Sequence, residues 1–419
     1  MESLKKFLNY KTVAIAILVI VYVWCNLPAA GVFEDTYYQY TSGGLSVPDG
    51  GSGFVNRFNS IAPLDHYKGT MNLILRPISP YLFDIRILGF LYFVILLTCF
   101  IILLKTIKFK YDWQNWLFSL FTLFVFADFA YLLRLNSPNV EPAFLVSAIA
   151  LITISLTQAR NRATITKSLL FSLIVLFMCG LKGGYAFLAP FLMLIPLGWG
   201  YVRTDNLFKT INLALLIVVA VSSIYLFGGG VSEEMKQNDM QSAIIDAANP
   251  SQSYVPENPT YPLIIDNYIK NPARLIDNLK SAAHSAYEIR PRYLSNYPNQ
   301  VGLKEGFTGY SNIKRRLIQP DLWFLAVFLA ATLVFSVFNL KREKIFSDKA
   351  NYWTLISLTI IAFVSFVAPV IISGLVNLEQ NLFFYNVFFD IILIYVVIGG
   401  VAVAANRRDK LKSKYGIKQ

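Results

Sequence analysis

The chain has 419 residues, of which 55% are hydrophobic and only 15% charged, with a mean hydropathy of +0.51. No soluble domain tolerates that much apolar surface, so the composition excludes a water-soluble enzyme and predicts an all-α polytopic membrane protein. The net charge of +12 comes largely from basic residues beside apolar stretches, where it meets anionic lipid headgroups; it does not imply nucleic acid.

About 20 apolar residues are needed to cross the hydrocarbon core as a helix. Taken in chain order, about ten stretches qualify, with cores at 12–30, 87–104, 113–133, 143–156, 168–179, 185–197, 206–227, 322–338, 352–375 and 382–404. The fourth, fifth and sixth are short and read as longer than drawn or as a bent pair. The segment L-P-A-A-G at 27–31 has the small residues of a cleavage site, but cutting there would detach the first loop from its helix, so the first span is expected to stay as an anchor. No repeat is evident, and 1–419 reads as one transmembrane domain.

Basic residues mark one side. Lys5, Lys6 and Lys11 precede the first span; Lys105, Lys108 and Lys110 follow the second; Arg160, Arg162 and Lys167 follow the fourth. Arg203 and Lys209 separate the sixth and seventh, Lys341, Arg342, Lys344 and Lys349 follow the eighth, and Arg407 to Lys418 fill the tail. With ten spans all fall on one side, which the positive-inside rule makes cytoplasmic. Both termini are then inside, in a bacterial cytoplasmic membrane. Cys25, Cys99 and Cys179 all lie in spans, so no disulfide framework is expected.

Two outer loops are long enough to carry function. The first, residues 31–86, holds V-F-E-D-T-Y-Y-Q-Y and D-G-G-S-G. The second, residues 228–320, contains a predicted surface helix: Asn271 caps it, Pro272 takes its first position, and Leu275, Ile276, Leu279, Ala283 and Ala286 share one apolar face. That helix lies on the membrane surface or packs on the outer ends of the spans.

The chemistry concentrates in these loops. Glu34 and Asp35, a carboxylate pair just past the first span, supply a general base or bind a divalent cation; the alternative is a solvated cap. Asp65, His66 and Lys68 put an acid, an imidazole and an ammonium within four residues, as an ordinary wet turn also does. Glu141, in N-S-P-N-V-E-P, opens the fourth span, where the helix dipole alone favours an acid. Asp128 and Asp390 lie inside spans, each a buried partner for an unidentified basic group. In H-S-A-Y-E-I-R-P-R-Y-L-S-N-Y, Arg290 and Arg292 bracket a stiffening proline, and guanidinium groups grip phosphate in bidentate fashion. Tyr293 adds a flat face beside them. Lys182 is a lone outer cation, and Lys314, Arg315 and Arg316 precede the eighth span.

This layout resembles the membrane-embedded glycosyltransferases of the GT-C fold. E-D at 34–35 is similar to that family's acidic pair in type and place. The stretch ending in E-P at 141–142 resembles the second acidic loop of bacterial members that decorate cell-envelope glycans, and R-P-R-Y-L-S-N-Y resembles their late outer loop. The overlap covers the first four spans and part of the second loop. The resemblance implies transfer of a sugar from a polyprenyl-phosphate carrier to a glycan or lipid acceptor at the outer face, with inversion. Asp35 is then the base and Glu34 its partner. Asp65, His66, Lys68, Glu141, Lys182, Arg290, Arg292 and Tyr293 bind substrate. No cofactor is required, although Glu34 and Asp35 leave room for a divalent metal. Members vary between Asp-Asp, Asp-Glu and Glu-Asp, so which carboxylate is the base stays open.

Two other classes compete. An envelope polysaccharide polymerase or ligase has similar spans and a late loop that would use His284, Arg290 and Arg292, but does not need Glu34–Asp35. A lipid or solute transporter would spread ionisable residues through mid-span and show two similar halves, which this chain does not.

Overall fold

The computed structural model describes residues 9–26, 85–107, 109, 111–136, 140–160, 164–181, 183–202, 206–229, 260–286, 309–317, 321–340, 349–375 and 378–414. Among these residues every regular element is helical. The elements are α1 (Tyr10–Asn26), α2 (Ile85–Thr106), α3 (Asp112–Phe126), α4 (Phe129–Leu132), α5 (Val140–Arg160), α6 (Ile165–Leu181), α7 (Ala189–Leu192), α8 (Leu194–Val202) and α9 (Asn206–Gly229). They continue as α10 (Tyr261–Lys270), α11 (Pro272–Ala286), α12 (Gly309–Leu317), α13 (Leu322–Leu340), α14 (Lys349–Ser373), α15 (Leu378–Asn381) and α16 (Phe383–Lys414).

Side-chain caps fix several of the starts. Asn9 accepts the backbone N–H groups of Lys11 and Thr12 at 2.9 and 3.0 Å, and Asp321 accepts that of Trp323 at 3.1 Å. Apolar sequence does the rest, because a helix satisfies its own backbone where no water can.

Five helices among the described residues are long and apolar enough to cross a membrane: α2, α5, α9, α13 and α14. A sixth crossing forms if α3 and the short helical segment after it count as one span, bent by 54°. The expected stretch at 113–133 is therefore broken, at Ala127–Asp128. Shorter apolar helices occupy Tyr10–Trp24, Ile165–Leu181, Ala186–Gly200 and Phe383–Val397. The stretch expected at 185–197 is also broken, into a 3-10 turn (Gly183–Leu188), α7 and α8. The break follows Gly183–Gly184 and takes in Pro190, whose missing N–H suits a helix start.

Burial sorts centre from rim. The apolar windows of α5 and α14 are 72% and 61% buried, those of α9 and α13 only 22% and 28%. Ile217, Val221 and Ile224 of α9 and Val327, Val334 and Phe338 of α13 point outward, suited to lipid. The centre is the packing of α5 and α14 on the first half of α16. Phe144 stacks on Phe384 with centroids 3.3 Å apart, and Phe366 meets Tyr385 at 5.3 Å.

Those ring pairs also set directions. α5 and α16 begin side by side, α14 ends beside them, and Tyr22 near the end of α1 stacks on Phe93 near the start of α2. Leu103 and Ile107 at the end of α2 line one apolar cavity with Ile152 and Leu156 toward the end of α5, so α1 ends, and α2 begins, at the end of the bundle where α5 and α16 begin. Residues 27–84 join the fold at that end, called here the site end. α10 and α11 dock there too. Tyr268 donates to the Val370 carbonyl at 3.4 Å and accepts from Asn278 at 3.1 Å. Burial raises the Tyr268 pKa above that of an ordinary tyrosine. α11 begins at Pro272 as expected and packs on the bundle. Of the expected face, Ala283 and Ala286 are buried and Leu275 and Leu279 pack partly buried against the core, while Ile276 is 48% exposed; Asn278 and Ala282 join the buried face instead. Small side chains let α11 approach the spans closely. Cys99 and Cys179 are buried free thiols.

Close packing gives a test at the opposite end. A Cβ on Gly198 of α8 would lie 2.8 Å from the Trp353 Cβ of α14, whereas a Cβ on Gly180 meets nothing within 4 Å. Gly198→Ala is expected to lower stability by about 1–3 kcal/mol, read as a lower thermal midpoint in detergent. Gly180→Ala is expected to leave the midpoint unchanged or slightly raised. Equal midpoints for both variants would show that α8 and α14 are not packed this closely.

Candidate functional site

The break after α3 makes an elbow. Asp128 ends the first arm and caps the second, its Oδ1 accepting the Ala130 N–H at 2.9 Å. α4 and a 3-10 turn (Leu133–Asn136) come next. The tightening matters, because in 3-10 geometry residues three apart eclipse. Asp128, Tyr131 and Arg134 are spaced by three and carry the polar contacts of the elbow. All are buried, at 0%, 0% and 3% exposure.

Each meets a different partner. The Asp128 Oδ2 accepts the backbone N–H of Ser311 at 2.9 Å and its hydroxyl at 3.1 Å. Tyr131 donates its hydroxyl to the Asp390 Oδ2. Asp390 Oδ1 accepts the Lys314 ammonium at 2.6 Å and the Tyr310 hydroxyl at 2.5 Å. Lys314 also donates to the Asn386 Oδ1 at 2.9 Å and lies 5.0 Å from the Phe389 ring centroid. Burial lowers the Lys314 pKa, and the nearby Asp390 and Asp128 carboxylates oppose that fall.

α12, a nine-residue helix too polar to bury itself, is thus bolted across the elbow and α16. One face, Tyr310, Ser311 and Lys314, is buried; Asn312, Ile313, Arg315 and Arg316 are exposed. Asp128 and Asp390 each accept three hydrogen bonds within this network. A carboxylate engaged in this way has most of its acceptor positions filled by protein donors. The network ties α12 to the elbow and to α16.

The third member of the elbow faces a looser partner. The Arg134 guanidinium lies 4.1 Å from the Phe383 ring centroid, and its Nη1 is 3.9 Å from the Glu141 Oε1. Charge-assisted hydrogen bonds are about 2.7–2.9 Å long, so this pair is ionic without being bonded. Glu141 sits in the first turn of α5, where the helix dipole favours it, and is 5% exposed.

The sequence-based site therefore divides. Glu141 is at the site end, paired with Arg134. Glu34, Asp35, Asp65, His66, Lys68, Lys182, Arg290, Arg292 and Tyr293 lie outside the described residues. The segments 27–84 and 287–308 that carry all of them but Lys182 join helices whose ends lie at the site end or dock there. Asp390 does have a basic partner, Lys314; Asp128 takes the Ser311 hydroxyl and backbone instead. Lys314, part of the basic run read from sequence before the eighth span, is fully buried and committed to Asp390. Tyr131, Arg134, Tyr310, Ser311 and Asn386 belong to no motif that marks them in the sequence. Tyr131 and Arg134 do carry one signal, D-F-A-Y-L-L-R at 128–134: polar groups at a spacing of three in an apolar stretch must find partners.

The chain matches the family model described as the YfdI N-terminal transmembrane domain, over residues 69–258 and 257–418. No curated protein and no solved structure matches it.

The bolt makes a quantitative expectation. Lys314→Met strands the buried Asp390 carboxylate, a loss of about 3–5 kcal/mol. Adding Asp390→Asn removes the stranded charge and is expected to restore more than half of that loss. Thermal midpoints of the two single variants and the double variant, in the same detergent, measure the coupling. Simple additivity would show that the two side chains do not act as a pair.

Proposed function

Since the chain belongs to the family of the YfdI N-terminal transmembrane domain, we propose that it is a membrane glycosyltransferase that takes its sugar from a polyprenyl-phosphate carrier. In this reading the ten apolar segments form ten crossings of the cytoplasmic membrane, with both termini inside. The site end faces outward, and the acceptor is an envelope glycan or lipid.

The observation that carries the proposal is the convergence at one end of the bundle. The buried elbow with its Arg134–Glu141 pair, the docked loop helices α10, α11 and α12, and both junctions of residues 27–84 all lie there. Residues 27–84 hold Glu34 and Asp35. Asp128 and Asp390 are engaged by donors, so neither offers the exchangeable ion site that a transporter needs in mid-membrane.

The reaction is a single displacement. Asp35 takes the proton of an acceptor hydroxyl, and the oxygen attacks the anomeric carbon from the face opposite the phosphate. The carbon–oxygen bond to phosphate breaks, configuration inverts, and the lipid monophosphate leaves with the bonding electrons. Arg290, Arg292 or Lys68 stabilises the charge that develops on it. Glu34 orients the pair, and a divalent cation there would supply further charge stabilisation.

Two outcomes are expected. Asp35→Asn slows sugar transfer by roughly 10²–10⁴-fold, with the protein still made and inserted; near-normal transfer by both Asp35→Asn and Glu34→Gln would sink the catalytic role of the pair. Single cysteines at Ser52 and Ser251 label from outside intact cells with an impermeant thiol reagent, and one at Ser347 does not. Labelling at Ser347 would place the site end on the wrong side.

A further inference from the structure

α10 carries more apolar surface than its contact with the bundle uses. Each helical residue advances by about 100°, so Ile264, Tyr268, Ile265 and Ile269 form one continuous arc of roughly 140°. Ile264 and Tyr268 fill the first half and are buried, with Leu275 and Ile371 packed against them. Ile265 and Ile269 fill the second half and are 49% and 72% exposed. Next round the helix come Asp266 and Lys270, ion-paired with one another one turn apart. The order is therefore bundle, exposed isoleucines, paired charges. Leu263 departs from it, exposed on the charged side.

Depth decides what the exposed half meets. Tyr268 donates to the Val370 carbonyl at 3.4 Å, and Val370 lies inside the apolar window Lys349–Ile372 of α14. At 1.5 Å of rise per residue it is about 3 Å short of the end of that window. α10 therefore lies beside the last turn of a span rather than beyond it. In a bilayer this level is the boundary between acyl chains and headgroups. A helix that is apolar on one flank and charged on the next is suited to that boundary.

The charges point to the same partner. On α10 and α11 both carboxylates are taken, Asp266 by Lys270 and Asp277 by Lys280. Arg274 is left as the uncompensated cation, with no ion-pair partner among the described residues. Its Nε and Nη2 are shut off from solvent and have no hydrogen-bond acceptor. Burial raises the Tyr268 pKa, and the Asn278 hydrogen bond and the Arg274 charge oppose that rise. The guanidinium is thus near the Tyr268 hydroxyl, and so near the end of α14. Buried donors without an acceptor are costly. A shift of this long side chain toward an anionic headgroup at the same level supplies the acceptor.

We propose that α10 and the first turn of α11 are an interfacial docking surface for the lipid leaflet at the site end, with Ile265 and Ile269 among the acyl chains and Arg274 on the phosphate of an anionic phospholipid. The inference is independent of glycosyl transfer. A surface of this kind fixes the height of α10 and α11 relative to the headgroups.

The test reads the two flanks of α10 separately. The full chain in nanodiscs carries bimane on one introduced cysteine, Ile265→Cys, Asp266→Cys, Ile269→Cys or Lys270→Cys, with the label taken up by the unmodified chain subtracted. None of the four side chains is buried, so the fold is kept. Phospholipid brominated in its acyl chains is expected to quench the two isoleucine positions roughly twofold more than the two charged positions, and aqueous iodide to do the reverse. Iodide quenching of all four would place the face in water and overturn the proposal. Shielding of the isoleucine positions from both quenchers would overturn it as well, by assigning the face to protein. The lipid preference is read at Ile269→Cys. Brominated phosphatidylglycerol is expected to quench more than brominated phosphatidylcholine at equal mole fraction, and Arg274→Gln to remove that difference. Arg274→Lys, which keeps the charge but not the planar fork, is expected to retain part of it. A preference unchanged in Arg274→Gln would overturn the headgroup role of Arg274.

Discussion

The Asp390 carboxylate is the constraint on which the site end depends. It is fully buried on α16, and its three donors come from two other parts of the chain: Tyr131 on the elbow, and Tyr310 and Lys314 on α12. Without it Lys314 would be an uncompensated cation in an apolar interior, the arrangement that folded proteins tolerate least. With it, a short polar helix from a long loop becomes part of the core. Asp128 completes the arrangement from the opposite side, capping the second arm of the elbow while holding Ser311.

The elbow explains why charge can be placed here at all. An unbroken span would present Asp128, Tyr131 and Arg134 along a helix surface facing lipid or neighbouring apolar side chains. The 54° bend turns them inward, and the tightened backbone after it aligns them. One face then serves two purposes. Its first two members are closed by donors and acceptors, and its third, Arg134, stays within ionic reach of Glu141 without a hydrogen bond between them.

Much of this is legible in the sequence, and the rest is hidden for physical reasons. Apolar stretches announce helices directly, so each expected stretch contains helix, and Pro272 marks the start of α11 correctly. The breaks at Ala127–Asp128 and near Pro190 escape a hydropathy reading, which averages over a break that leaves composition unchanged. Lys314 resembles its exposed neighbours Arg315 and Arg316 in sequence, since a nine-residue helix gives little periodicity to separate its buried face from its exposed one. Asp390 plainly needs a partner, yet nothing local says that the partner lies 76 residues away. The face of α11 is legible except at Ile276, which hydrophobicity places inside and the structure leaves exposed.

The separations in this network have a consequence for how the chain is made. Ser311 lies 183 residues after Asp128, and Asp390 lies 259 residues after Tyr131. A nascent chain delivers α3 and the elbow long before α12 and α16 exist. Until then Asp128 has its own helix amide as a bonding partner, and Tyr131 lacks the acceptor that α16 supplies. The early half is a holding state, complete in its apolar helices and incomplete in its polar bonds. Completion awaits α16, which supplies Asp390, the acceptor of Tyr131, Tyr310 and Lys314. The polar closure of the site end therefore requires the chain to have been made as far as Asp390, and a chain shortened before it would lack the carboxylate that commits Lys314.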